Sequence, residues 1–147
     1  MSSKEIQDAI VSNMQRWQKI EDASVVSTGR VIEKTTNPVV RLIMEIIQRD
    51  SVMHHRIQGM IADSLSVPGK AVTLSPDDLA GVWDLIEQHI QLEKKTVELA
   101  KEALGTLQGK KMVVQEYLLH YLLTDEEKHN SVLEQLEVIK RGMYPYG

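Results

Sequence analysis

Apolar residues recur along the chain at intervals of three, four and seven positions, the spacing that places side chains on one face of an α-helix. This pattern predicts four long helices, which cover residues 2–35, 38–64, 76–104 and 110–140. No segment alternates apolar and polar residues convincingly with a period of two, so no sheet is predicted. Four long helices in a chain of 147 residues predict an all-α fold, a four-helix bundle that forms a single domain over residues 1–147.

Local signals mark the starts of these helices. Asn37 followed by Pro38 is typical of an N-cap with proline at the first helical position. The run Ser75–Asp78 predicts the start of the third helix, because its serine caps the helix and its two acidic residues lie at the positive end of the helix dipole. The preceding segment, residues 66–75, contains Pro68-Gly69 and is predicted to be a loop.

Composition narrows the chemistry. The chain has no cysteine, which excludes a disulfide scaffold, thiolate zinc sites, iron–sulfur clusters and thiol catalysis. Its net charge of −4 argues against a nucleic-acid partner, since phosphate-binding proteins are usually basic. The sequence has no apolar run of roughly 18 residues, the length of a membrane span, and no signal-peptide core near its start. The expectation is a cytoplasmic protein with neither a membrane nor a nucleic-acid partner.

The two halves of the chain resemble each other. Residues 20–25 (IEDASV) are similar to residues 92–97 (LEKKTV), and residues 46–54 are similar to residues 122–129 once one gap is allowed. Each half is therefore predicted to be a helical hairpin with a glutamate on its first helix and a histidine on its second. Three pairs of positions on the second helices correspond: Asp50 with Asp125, Ser51 with Glu126, and His54 with His129.

The distance of each polar residue from its turn predicts where it lies along the hairpin. Glu21 is 16 residues before the first turn and His54 is 17 after it, while Glu93 is 17 before the second turn and Glu126 is 16 after it. At about 1.5 Å per residue, the members of each pair are level to within about one helical turn. His129 is three residues beyond Glu126 and projects from the same face. These five side chains are predicted to reach one region of the bundle interior.

Each of these residues also has a simpler interpretation. A lone Glu-x-x-His on a helix is usually a solvated pair, but leucines share the stripe of Glu126 and His129. Burying a carboxylate or an imidazole is costly unless it is paired or bound to a metal. Glu21 lies at the edge of its stripe and can equally face solvent, and His54 alone is more often a satisfied interior histidine. The duplication and the matched levels favour a shared interior polar site.

These features resemble the ferritin-like superfamily, particularly its rubrerythrin-like and bacterioferritin-like members, over roughly residues 10–140. The most specific stretch is Asp125–His129, because Asp-Glu-x-x-His on the fourth helix is typical of the superfamily. The resemblance implies two helical hairpins joined by a crossover loop, and a site for two iron or manganese ions without haem. In such a bundle, residues 66–75 have to cover about 40 Å in a nearly extended form. The metal ligands implied by the resemblance are Glu21, His54, Glu93, Glu126 and His129.

The chain departs from the family pattern at Ser51, which stands where the resemblance implies a further glutamate. A serine hydroxyl is neutral and too short to bridge two cations, so we expect one ion to be held firmly and a second weakly. The remaining candidates would orient or complete the site: Asp50, Asp125 and His89. The two aspartates are either acceptors that orient the histidines or surface residues; Asp50 is also a substitute ligand for the second ion. His89 is either an extra ligand or a partly exposed residue.

The resemblance implies a metal-binding protein that handles oxygen, peroxide or ferrous iron, and leaves open whether it is an oxidoreductase. If it is a reductase, its electrons have to come from a separate donor protein, because the chain has no cysteines for a rubredoxin-like iron domain. A homodimer is expected, with Trp17, Trp83 and the Tyr144–Tyr146 tail as candidate contacts. One alternative is a non-enzymatic bundle whose metal site has decayed and which serves as an interaction or assembly module. Another is a helical adaptor unrelated to ferritins, in which Glu126 and His129 lie on the surface.

Overall fold

The computed structural model describes residues 1–143, with the side chains of Pro76 and Met143 left out. The Tyr144–Tyr146 tail therefore lies outside the described residues. The described residues contain no strand, which confirms the all-α prediction. The helices are α1 (Ser3–Lys34), α2 (Pro38–Ser66), α3 (Pro76–Ala80), α4 (Trp83–Leu107) and α5 (Val113–Met143).

The chain folds as two compact units, and each is described by itself. The first, Met1–Thr73, consists of α1 packed against α2 and is called the N-terminal hairpin. The second begins at Leu74, consists of α4 packed against α5 with the short α3 beside them, and is called the C-terminal hairpin. The helical hairpin predicted for each half is confirmed. No helix within residues 1–143 combines the length and the apolar character that a membrane crossing requires.

The predicted helix starts in the N-terminal hairpin are confirmed by their caps. Ser2 and Glu5 form a capping box, in which each side chain accepts a hydrogen bond from the other residue's backbone N–H. These hydrogen bonds lower the pKa of Glu5. Asn37 Oδ1 accepts from the N–H groups of Val39 and Val40, at 2.9 and 3.2 Å. The cap fixes where the chain reverses between α1 and α2, and so sets which residues face each other across the hairpin.

The prediction of one helix over residues 76–104 is wrong, because the structure breaks it into α3 and α4. Ser75 and Asp78 form the predicted cap, but α3 ends at Ala80 and Val82 has non-helical angles, φ −124° and ψ 1°. Glycine at position 81 lowers the stability of a continuous helix by about 1 kcal/mol relative to alanine. The helix that carries the site therefore begins at Trp83.

The seam between α1 and α2 is largely polar. The polar side chains buried in this hairpin are Glu21, Thr28, Ser51 and Gln58. The apolar residues of α1 are less buried than these polar ones; for example, Trp17 is 48% exposed and Ile20 is 67% exposed. A helical hairpin has only one seam, so its apolar stripes stay partly uncovered within the hairpin.

The connection after α2 runs back along that helix instead of forming a compact turn. Lys70 Nζ lies 3.5 Å from Asp63 Oδ2. Val72 lines the same groove as Met53 and Ile57 of α2, about three helical turns before the end of the helix. This direction agrees with the predicted crossover, whose full length stays a prediction.

Candidate metal centre

Three predicted ligands meet in the C-terminal hairpin. Glu93 projects from α4, while Glu126 and His129 lie one turn apart on α5 and share a face. Each offers one ligand atom, and these atoms all lie within 4.8 Å of one another. The arrangement brings two carboxylates and one imidazole to a single point, which is a donor set suited to a divalent metal ion.

Glu93 is the most buried of the three, and one of its oxygens lacks a donor. Oε1 lies 2.9 Å from His89 Nε2 on the same helix. Oε2 is buried and accepts no hydrogen bond of regular geometry from the described residues, while the imidazole Nδ1 of His129 is 3.5 Å away. An unsatisfied buried carboxylate oxygen is costly. A bound cation would satisfy it.

The His129 ring lies between three carboxylates. Its Nδ1 is 3.5 Å from Glu93 and 3.7 Å from Glu126, and its Nε2 is 3.5 Å from Asp125 Oδ2. Asp125 is also paired with Lys128 at 2.9 Å, so its position is fixed from two sides. Asp125 thus lies where an acceptor that orients the imidazole would be expected.

The carboxyl groups of Glu93 and Glu126 affect each other's protonation. Proton sharing between them is the largest cause that lowers the pKa of Glu93 and raises the pKa of Glu126. The positive charges of His129 and His89 also lower the pKa of Glu93, against the effect of burial, and the Thr96 hydroxyl opposes the rise at Glu126. Of the two acids, Glu93 therefore loses its proton at the lower pH and Glu126 at the higher pH.

A hydroxyl that was not among the predicted residues supports Glu126. Thr96 Oγ1 lies 2.9 Å from Glu126 Oε2 and 2.7 Å from the backbone carbonyl oxygen of Glu93. It bridges α4 and α5 one turn from the point where the ligand atoms meet. The signal was present in the repeat, because Ser24 and Thr96 both stand three residues after the glutamate of their half.

The N-terminal hairpin brings Glu21 and His54 together in the same way. His54 Nδ1 lies 3.3 Å from Glu21 Oε1, and Glu21 is buried, so its suggested position facing solvent is not seen. The His54 side chain is 54% exposed, unlike the interior histidine that the isolated residue suggested. Ser51 is buried and its hydroxyl pairs with that of Ser24 at 2.8 Å.

Gln58 is a second residue that the sequence pattern missed. It is buried and donates from Nε2 to Glu21 Oε1 at 3.4 Å, while its own Oε1 has no partner among the described residues. Asp50, by contrast, is exposed and makes no hydrogen bond or ion pair within the described part of the chain. The structure therefore does not bring Asp50 to His54.

Comparisons of the chain with protein-family models, with curated protein sequences and with solved structures gave no match. The chain is described by its own features, which are an all-helical fold and a cluster of Glu and His side chains. These features are compatible with a helical bundle. The side chains of Glu126 and His129, which the adaptor interpretation places on the surface, are 24% and 43% exposed.

Proposed function

We propose that this protein binds a divalent transition-metal ion through Glu93, Glu126 and His129. The observation that carries the proposal is that ligand atoms of Glu93, Glu126 and His129 lie within 4.8 Å of one another around the buried Oε2 of Glu93, to which no N–H or hydroxyl group of the described residues donates. A group of this kind is stabilised most directly by a cation, because its burial without a partner is unfavourable. The ligand groups bind in their deprotonated forms, so binding is coupled to proton release.

Iron or manganese is the ion that we propose. Two carboxylates and one imidazole give mostly hard oxygen donors with one nitrogen, a set that suits Fe(II) and Mn(II), while the soft thiolates that favour other metals are absent from the sequence. Either ion would supply redox chemistry towards oxygen, peroxide or ferrous iron, with electrons from a separate donor protein. In this role Asp125 orients His129, and the Glu93 and Glu126 carboxylates supply the negative charge.

The finer architecture belongs to the same proposal. In a ferritin-like four-helix bundle, Glu21 and His54 would complete the site, and a homodimer would be the simplest assembly. Two observations support the bundle. Each hairpin carries its own Glu–His pair at equivalent positions, and the apolar stripes left uncovered within the hairpins need a further helical layer.

An interaction or assembly module with a decayed metal site is the second candidate. The neutral Ser51 and Gln58 favour it, because they leave the N-terminal hairpin with a single acid in its polar cluster. This candidate predicts that the protein binds no metal and keeps its stability in chelator.

The test is metal content and affinity, measured on protein purified without chelator and by titration of the chelated protein with Mn(II) and Co(II). The proposal predicts one firmly bound ion per chain, and a loss of at least about 100-fold in affinity in the Glu126→Gln variant. Glu127→Gln is the matched control, because Glu127 is the exposed neighbour on the same helix. No binding by the unmodified chain, or equal losses in the two variants, would reject the site.

The Glu21→Gln variant separates a site within one hairpin from a site shared by both. A site built by the C-terminal hairpin alone keeps its affinity in this variant. A shared site loses the second, weaker ion. Unchanged stoichiometry and affinity would therefore reject the shared bundle site while leaving the three-ligand site intact.

A further inference from the structure

The two hairpins share a contact that their alignment alone does not reveal. In the C-terminal hairpin, Thr96 stands three residues after the glutamate of α4 and touches Glu126, three residues before the histidine of α5. In the N-terminal hairpin, Ser24 stands three residues after Glu21 and touches Ser51, three residues before its histidine. In both hairpins, therefore, the hydroxyl three residues after the glutamate of the first helix contacts the residue three positions before the histidine of the second helix.

We propose that this hydroxyl is a positioning group, which holds the carboxylate of the second helix for metal binding in the C-terminal hairpin and faces a neutral serine in the N-terminal hairpin. The inference rests on the proposed metal site of Glu93, Glu126 and His129. Thr96 is not a ligand in it; it acts through Glu126.

The hydrogen count shows how Thr96 acts. Its hydroxyl has one proton to donate and two acceptors in reach, the Glu93 carbonyl oxygen at 2.7 Å and Glu126 Oε2 at 2.9 Å. Hydrogen bonds to an ionised acceptor are stronger than those to a neutral one, so the Thr96 hydroxyl donates to Glu126 once that carboxyl ionises on metal binding. This bond uses one lone pair of Oε2 and restricts rotation of the carboxylate, which leaves its other lone pairs for a cation.

The rigidity of threonine makes the arrangement effective. A β-branched side chain on a helix has few χ1 rotamers, and the contact with the Glu93 carbonyl holds the Thr96 hydroxyl on the turn of α4 that carries Glu93. Ordering a free glutamate side chain loses rotamer entropy, and the contact with Thr96 that is already formed removes part of that loss before the metal arrives.

The equivalent position in the N-terminal hairpin is Ser51, a neutral residue. Ser51 is 4% exposed and its only described hydrogen-bond partner is Ser24, at 2.8 Å. Because Ser24 and Ser51 have the same register as Thr96 and Glu126, we expect a glutamate at position 51 to meet the Ser24 hydroxyl as Glu126 meets Thr96.

The first experiment compares Thr96→Val and Thr96→Ser, using Co(II) affinity and the visible Co(II) absorption spectrum. Valine keeps the shape and removes the hydroxyl, so we expect a 10- to 100-fold loss of affinity and a changed spectrum. Serine keeps the hydroxyl and should restore affinity to within about threefold with the original spectrum. Thr106→Val is the matched control, because Thr106 lies on the same helix and its hydroxyl bonds only to the carbonyl of its own turn, at Glu102.

The outcomes separate this inference from the proposed function. No Co(II) binding by the unmodified chain would overturn both. Unmodified binding together with an unchanged Thr96→Val variant would overturn the positioning role alone, as would a variant that loses thermal stability without a change in spectrum or affinity.

The second experiment tests for a gain of metal binding. It does not depend on whether the Thr96→Val variant folds well. Ser51→Glu should raise the bound Co(II) towards a second equivalent, and adding Ser24→Ala to it should weaken that equivalent about tenfold or more. Failure of Ser51→Glu to recruit a second ion, or full retention of it in the double variant, would overturn the proposal for the N-terminal hairpin.

Discussion

The two hairpins carry similar polar clusters at equivalent positions, but the clusters differ in the number of acidic residues. Each has a buried glutamate on its first helix in contact with a histidine on its second, at 3.3 Å in one hairpin and 3.5 Å in the other. The position three residues before the histidine differs, because it is Glu126 in the C-terminal hairpin and Ser51 in the N-terminal one. The glutamate of the N-terminal hairpin also receives an amide hydrogen bond from Gln58.

This difference shows what distinguishes a structural polar cluster from a candidate metal site. In the N-terminal hairpin the atom left without a partner is a neutral amide oxygen, Gln58 Oε1. In the C-terminal hairpin it is a carboxylate oxygen, Glu93 Oε2, beside a second acid. A buried carboxylate oxygen that lacks a donor is less favourable than a buried amide oxygen that lacks one, and two neighbouring acids repel each other when both are ionised, so a cation would stabilise the C-terminal cluster more than the N-terminal one.

The largest expected effect comes from removing the same imidazole in each hairpin. His129→Ala should weaken the firmly bound ion at least about 100-fold, since it removes one of three ligands. His54→Ala should leave that ion within about threefold and affect only the second, weaker one. Titration with Mn(II) measures both, with the exposed His120→Ala on α5 as control. Equal losses in the two histidine variants would contradict the unequal-site comparison.

The next effect is the pH dependence of binding. The pKa of Glu126 is raised by proton sharing with Glu93, so Glu126 still holds a proton at pH values where an ordinary glutamate, with a pKa of about 4.3, is ionised. Metal affinity should therefore begin to fall at a higher pH than an ordinary carboxylate requires, by about tenfold per pH unit for each proton displaced. Carboxyl carbon NMR of the metal-free protein measures the titration directly. A Glu126 signal that titrates at or below the ordinary range would contradict the shift.

The sequence predicted the hairpins well because their ends carry explicit local signals. The predicted capping residues Asn37 and Ser75 both act as caps. The break at Gly81 was missed because an isolated glycine inside a periodic apolar pattern is often tolerated in a helix. The four-helix arrangement itself remains a prediction.

The candidate site was predicted in part for a related reason. Spacing along a helix identifies residues on one face, so Glu126 with His129 followed from the sequence. The contacts between the two helices of a hairpin depend on their register, which helical spacing alone does not give. The contacts of Thr96 with Glu126 and of Gln58 with Glu21 were therefore not predicted. Helical periodicity also does not say whether a polar residue or its apolar neighbour lies in the seam, which is why the sequence left the burial of Glu21 open and did not indicate the exposure of His54.

A smaller effect concerns how much Glu126 lowers the stability of the metal-free protein. Because the pKa of Glu126 is raised in the folded state, the stability associated with its neutral form is present at low pH and is lost as the pH rises through that pKa. Glu126→Gln keeps the side chain neutral, so it should stabilise the metal-free protein at neutral pH by up to about 1 kcal/mol, and not at low pH. Urea unfolding in chelator at both pH values measures this. A stability gain that is independent of pH, or equal in Glu127→Gln, would contradict the assignment.

The smallest expected effect compares one glycine from each unit. Gly81 has φ −68°, and a Cβ added there would lie 3.9 Å from the Asp77 carbonyl oxygen, an ordinary contact. Gly81→Ala should therefore stabilise the protein by about 0.4–1 kcal/mol through a less flexible unfolded chain. Gly69 has φ +79° with open space around it, so Gly69→Ala should destabilise by about 1 kcal/mol through backbone strain alone. Thermal unfolding measures both changes, and neither should alter metal affinity, because neither glycine touches the cluster. A loss of affinity in Gly81→Ala would instead mean that the break between α3 and α4 is needed to place Glu93 against α5.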